Sequence, residues 1–243
     1  MLIYGINPVL EALRAGRVRE LRVGEREGGR MRDVLALAGE RGIRVRRVPA
    51  EMLDREAGGG VHQGVVALVD GTRDYSVDEL IRGASGPPLL VVLDGIEDPQ
   101  NFGAILRSAD AAGVDGVIVQ RRRAAPRGGA AAKASAGAAA HVRVATVVNI
   151  ARTLEELKEA GVWTVGLAGD APTPYDRIDF TLPTAVVLGS EGVGLRRLVR
   201  ERCDVLAAIP MRGQVASLNV SVAAGVTLFE AVRQRHRHGS GSP

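Results

Sequence analysis

Three separated segments of this 243-residue chain hold polar side chains where an α/β protein receives ligands. In the first, DPQNFGAILRSADAAG follows the apolar strand LLVVLDGI, so Asn101 stands beyond a strand's carboxyl end, the edge at which parallel sheets bind. Asn101 can cap the helix or orient a substrate, and the two roles are compatible. Arg107, further along, reads as a solvated helix residue or as a clamp for phosphate or hydroxyl, because a guanidinium hardly deprotonates. The second segment, AVVLGSEGVGLRRL, is predicted to run strand, glycine-rich turn, helix, with free N–H groups suited to an anion or a cofactor carboxylate. Gly189, Gly192 and Gly194 miss the G-x-G-x-x-G spacing, and the turn lies near the sheet's end, which argues against a dinucleotide. Glu191 in this turn is either a helix-stabilising carboxylate or a base. In the third, AAIPMRGQVASLNVSVAAGVTLFEAV, Ser217 and Asn219 are either capping groups or ligand-facing groups on a helix whose small residues allow close approach.

A fourth stretch, QRRRAAPRGGAAAK, carries Arg121, Arg122, Arg123, Arg127 and Lys133 without an acidic residue. It is a solvated loop or a contact for RNA phosphates, which arginine binds in a bidentate way. His236 and His238 lack the further ligands a metal site requires, so no metal is expected. The single cysteine, Cys203, excludes an intrachain disulfide and fits a reducing compartment; it reads as an inert core residue.

The elements that must position these residues alternate in type. Before residue 71, Asn7 and Pro8 mark a helix start, RELRVG and IRVRRV read as strands around the helix MRDVLALAGERG, and HQGVVALVD closes a small α/β domain. Residues 72–87 gather Gly, Ser, Asp and a Pro-Pro pair, the composition of a linker. From residue 88 to 243, strands and helices alternate. The strands LLVVLDGI, VDGVIVQ, VRVATV, WTVGLAG and AVVLGS are continuously apolar, as in a mostly parallel sheet, and a final helix is expected from about Ser217 to His236. An Ala-rich helix is expected near Ala131 to Ala140.

With 46% hydrophobic residues the chain can bury a sizeable core, and it has neither an apolar run of membrane length nor the layout of a secretion signal. A soluble, cytoplasmic protein is expected. The formal charge is only +4 and aromatic residues are 3%, so RNA contact would rest on phosphates and shape rather than on base stacking.

Taken together, the three segments resemble the three motifs of the SpoU (TrmH-like) family of RNA ribose methyltransferases in the SPOUT superfamily. YGINPVLEAL and HQGVVA further resemble the small substrate-binding domain of that family's bacterial large-subunit rRNA guanosine 2'-O-methyltransferases. The resemblance implies an α/β domain with a trefoil knot, S-adenosylmethionine as methyl donor, an RNA substrate and a homodimer. By motif position it places the cofactor against Leu188, Gly189, Ile209, Met211 and Leu218, and puts Asn101, Arg107, Glu191, Ser217 and Asn219 in the active site. The stretch around Ala140 departs from the family, which often has an acidic residue there, and QRRRAAPRGG is richer in arginine and glycine than usual. The implied activity is 2'-O-methylation of a guanosine ribose in large-subunit rRNA. A tRNA ribose methyltransferase and a noncatalytic RNA-binding ribosome-assembly factor are the alternatives.

Overall fold

We analysed a computed structural model, which describes residues 2–25, 28–70, 73–121, 138 and 141–239. A smaller sheet is built from β1 (Leu2–Tyr4), β2 (Val18–Val23), β3 (Arg44–Arg47) and β4 (Val65–Val69), in the order β1-β4-β2-β3. Strand β4 runs antiparallel to β1 and β2, whereas β3 is parallel to β2. Val9 and Leu13 of α1 (Ile6–Arg14) and Val34 and Ala38 of α2 (Gly29–Glu40) bury against Leu21, Val23 and Ala67. Leu53 and Ala57 of α3 (Ala50–Ala57) pack with Tyr4 and Val66, side chains that point to the other face because strand residues alternate.

Asn7 does not cap α1. The N-cap is Gly5 at φ 93°, a backbone conformation that favours glycine, and the Ile6 N–H donates instead to Gln63 Oε1 at 3.0 Å. Gly5 N–H also donates to Val65 O at 3.2 Å. The stretches YGINPV and HQGVVA, about sixty residues apart, are therefore stitched into one turn.

The stretch expected to be a linker carries structure: β5 (Asp74–Tyr75) and α4 (Val77–Arg82), the latter begun by a reciprocal Ser76–Glu79 capping box. Strand β5 is the edge of a larger sheet with β6 (Leu89–Asp94), β7 (Gly116–Gln120), β8 (Val144–Val147), β9 (Trp163–Leu167), β10 (Thr173–Pro174), β11 (Thr184–Gly189) and β12 (Val205–Ala208). Its order is β10-β12-β9-β11-β6-β7-β8-β5, and every pair is parallel, the α/β architecture that the continuously apolar strands predict. Both faces are covered. Ile105 and Leu106 of α5 (Pro99–Ala111) and Ala224 and Leu228 of α8 (Val220–Gly239) pack on Val91, Leu93, Val186 and Leu188. Leu80 of α4, Ile150 and Leu154 of α6 (Ile150–Glu159) and Val199 of α7 (Arg197–Arg202) pack on Leu90, Val92 and Val187.

Two helix starts differ from expectation: α8 begins at Val220 rather than near Ser217, and α7 begins at Arg197, beyond the glycine-rich turn. The Ala-rich stretch lies outside the described residues except for Ala138. Near its end, α8 is pinned by Arg235, which donates to the carbonyls of Pro87 (2.6 Å), Pro88 (3.1 Å), Phe180 (2.8 Å) and Leu182 (3.1 Å).

Candidate active site

Strands β6 and β11 lie side by side at the centre of the sheet, with Gly189 in register with Asp94, so the loops that follow them leave the same edge. Asn101 occupies the first turn of α5. The cap there is Asp98, whose carboxylate oxygens accept from Gln100 N and Asn101 N at 3.1 Å each. The Asn101 side chain is thereby released from capping, and its Nδ2 donates to Glu191 Oε1 at 2.7 Å. Asn219 Nδ2 donates to the same oxygen at 2.7 Å and to Asn101 Oδ1 at 3.0 Å.

The orientation of Asn219 is fixed by its other end. Its Oδ1 accepts from Ser221 N at 2.8 Å, capping α8. A backbone N–H can only donate, so the amide nitrogen must face the carboxylate. Three residues from three segments thus meet in one cluster, in which two donors converge on one oxygen of Glu191. Oε2 has no hydrogen-bond partner among the described residues.

Beside this cluster, Leu188, Gly189, Ile209, Met211 and Leu218 line one cleft of about 320 Å³, together with Glu191 and Ser217. That volume falls in the range of small-molecule sites, roughly 300–1,000 Å³. Gly189 is required by close approach: a Cβ there would sit 2.1 Å from Gly194 C and 2.2 Å from Leu195 N, both backbone atoms. With no side chain in the way, the turn folds back over the strand end and the strand's own backbone forms the cleft wall. At the rim, Arg200 grips Asp170 through two hydrogen bonds of 2.8 and 2.9 Å, which hold the Asp170 carboxyl below its ordinary range. A second cleft, lined by Glu97, Asp98 and Asn101, shares Ser190, Glu191 and Val220 with the first. Glu191 therefore stands on the wall between two clefts. Apolar walls with exposed turn backbone fit the flat, polar-edged adenosyl part of S-adenosylmethionine, so the five residues that the resemblance assigns to it are suitably placed.

The structure does not bring Arg107 into the cluster. Six residues along an α-helix is about 600° of rotation, roughly 120° away from the face of Asn101. Arg107 stands exposed, with no hydrogen bond or ion pair among the described residues. Ser217 is exposed at the cleft without a side-chain bond among those residues. Arg121 follows β7 and is exposed; Arg122, Arg123, Arg127 and Lys133 lie outside the described residues. Sequence reasoning missed Asp98, although Asp followed by Pro is an N-cap signal. It also missed Asp94 and Arg196, for which no local signal exists.

Residues 88–229 match the SpoU rRNA Methylase family, and residues 2–75 match the RNA 2'-O ribose methyltransferase substrate binding family. The chain is 48% identical over 239 residues, 96% of each protein, to the 23S rRNA (guanosine-2'-O-)-methyltransferase RlmB of Xylella fastidiosa. Among solved structures it is similar to the SpoU methyltransferase AviRb from Streptomyces viridochromogenes in complex with AdoMet. The TM-score is 0.81 at 29% identity, over 98% of this chain and 91% of that one. The A. aeolicus TrmH/SpoU tRNA modifying enzyme gives a TM-score of 0.59 at 31% identity, over 66% of this chain and 82% of that one. Because the methylase match spans more than half the chain and contains all three segments of the cluster, the chain belongs to the SpoU rRNA methylase family.

Proposed function

We infer that the protein is an RNA 2'-O-ribose methyltransferase that uses S-adenosylmethionine and acts on a guanosine of 23S rRNA. The observation that carries this is Glu191 on the wall between two clefts, held by Asn101 and Asn219. The methyl donor supplies an activated methyl on a sulfonium. Leu188, Gly189, Ile209, Met211 and Leu218 hold it in the first cleft. The ribose enters the second, where Asn101 orients its hydroxyl for in-line attack. Glu191 accepts the hydroxyl proton, with its carboxylate steered by the two asparagine amides. Ser217 lines the donor cleft.

Arg107, exposed and without a hydrogen bond or ion pair among the described residues, clamps an RNA phosphate or hydroxyl and so helps position the ribose. Arg107→Ala is expected to abolish methylation while cofactor affinity, read by calorimetry, stays nearly unchanged. Full turnover in the variant would remove Arg107 from the site. Arg121 and the arginine-rich stretch that follows β7 serve the same polyanion. Raising salt should therefore weaken RNA binding steeply, through counterion release.

The full-length likeness to the Xylella fastidiosa protein supports 23S rRNA as substrate. The A. aeolicus tRNA modifying enzyme covers only 66% of this chain, which favours an rRNA role for the extra portion. We assign residues 1–71 to RNA binding and 88–243 to methyl transfer, with residues 74–82, expected in a linker, adding β5 and α4 to the methyl-transfer unit. A homodimer is supported by Val222 and Phe229, exposed two turns apart on α8, together with exposed Val193 and Val215 near the site. Among the described residues no helix is long and apolar enough to cross a membrane. We place the work in the cytoplasm, with the ribosomal RNA. Incubation with methyl-labelled cofactor and separately purified rRNA and tRNA, followed by mapping of the methylated ribose, tests this reading. Label in a guanosine of 23S rRNA is expected; label only in tRNA, or in no RNA, would overturn it.

A further inference from the structure

Among the described residues, Asp94 is the only charged side chain that is fully buried. It ends β6 in register with Gly189, and Arg196 folds back onto it. The Arg196 backbone N–H donates to Asp94 Oδ2 at 2.9 Å and Nε donates to Oδ1 at 2.6 Å, with Nη2 completing the ion pair. The same Nη2 donates to Gln120 Oε1 at 2.7 Å, and Gln120 Nε2 donates to Val148 O at 3.0 Å. Gln120 is the last residue of β7, next to Arg121.

Between Gly189 and Arg196 runs a turn of six residues, closed by Gly194 N–H on Ser190 O at 2.8 Å, and Glu191 sits on it. One foot of this turn is fixed because Gly189 has no side chain, and the other because Arg196 is hooked to Asp94. From Asp94 the chain also continues through Gly95 to Asp98 and into Asn101. One buried carboxylate therefore anchors both halves of the Asn101–Glu191 hydrogen bond. A buried ion pair is weak evidence for stability by itself, since desolvation offsets its attraction. Its place between two active-site segments gives it a different value, because a misplacement of about 1 Å can cost roughly a hundredfold in rate.

We propose that Asp94 and Arg196 are positioning residues for methyl transfer, setting the distance from Glu191 to Asn101. Through Gln120 they tie that distance to the strand end from which the arginine-rich stretch departs. The proposal rests on the methyl-transfer reading. Arg196→Lys keeps a charge beside Asp94 but loses the planar fork that binds two partners. Gln120→Leu removes only the outer link. For both variants kcat, KM for cofactor and KM for RNA are measured, together with amide hydrogen exchange across residues 189–196.

For Arg196→Lys we expect kcat to fall roughly tenfold to a hundredfold, KM for cofactor to hold within about twofold, and the turn's amides to exchange faster. Gln120→Leu should lower kcat by a few-fold in the same pattern. Wild-type kcat in both variants, a loss confined to KM, or unchanged exchange would overturn the proposal. If Arg196→Lys fails to fold, Gln120→Leu decides alone. A wild-type protein that methylates no RNA would refute the methyl-transfer reading, and the exchange rates would then judge the positioning role separately.

Discussion

Asn219 divides one amide between two roles, because its oxygen caps α8 while its nitrogen holds Glu191. Asn219→Asp keeps the cap but turns a donor into a second carboxylate facing the first. A hydrogen bond to a charged group is worth about 1.5–3 kcal/mol. Methylation by this variant should therefore fall at least tenfold to a hundredfold, at 1.36 kcal/mol per tenfold. The melting temperature should move little, as calorimetry can check. Cys203 behaves differently. Burial pushes its thiol up to about 12 from 9.0, and Sγ donates to Val199 O at 3.3 Å. The unfolded chain releases this proton near pH 9 and the folded one only near 12, so the stability linked to the thiol is complete below pH 9 and declines above it. Wild-type stability should drop more steeply between those pH values than that of Cys203→Ala, and native protein should resist thiol alkylation at pH 8. At this scale motif position alone grouped Leu188, Gly189, Ile209, Met211 and Leu218, and the structure lines one cleft with all five. What the chain could not disclose locally is that Asn101, Glu191 and Asn219 touch across 90 and 118 positions, or that Asp98 takes the capping role and so frees Asn101.

At the scale of elements, long signals were readable and short ones were not. Strands β6, β7 and β11 announce themselves as unbroken apolar runs, because both faces of a parallel sheet are covered. Helix α4 has six residues, too few to show a period, and it hid in a stretch whose composition suggests a linker. Its signal was Ser76 followed three residues later by Glu79, a capping box. Ser76→Ala should cost about 1 kcal/mol, measurable by urea denaturation; an unchanged midpoint would mean that packing of Leu80 alone maintains the helix. Helix α3 likewise lay between Pro49 and Gly58, the usual punctuation of a helix, yet its eight residues were passed over. The glycine-rich turn misled in the other direction. It looked like a helix N-terminus, but the chain first closes on itself and hooks to Asp94, so α7 starts only at Arg197.

For the molecule as a whole, the α/β class and parallel sheet followed from pattern, but the strand order could not, because central β6 is flanked by β7 and by β11 from far along the chain. Arg235 belongs to the same scale. It is half-buried, and burial lowers its pKa, yet its nearest partners are four carbonyls rather than a carboxylate. Arg235→Ala strips all four, and each acceptor left buried costs about 1–3 kcal/mol. Allowing for water reaching some of them, we expect a loss of at least about 2 kcal/mol, visible as a lower melting temperature and faster unfolding. Two of those carbonyls, on Pro87 and Pro88, stand at the threshold of β6, and the guanidinium that grips them arrives 148 and 147 positions later. During synthesis β6 therefore leaves the ribosome long before the residue that seals its entrance exists, and before its neighbour β11 has been made. The middle of the sheet has to wait, its apolar face open to solvent, to a chaperone or to a wrong strand, until the far end of the larger sheet's sequence catches up.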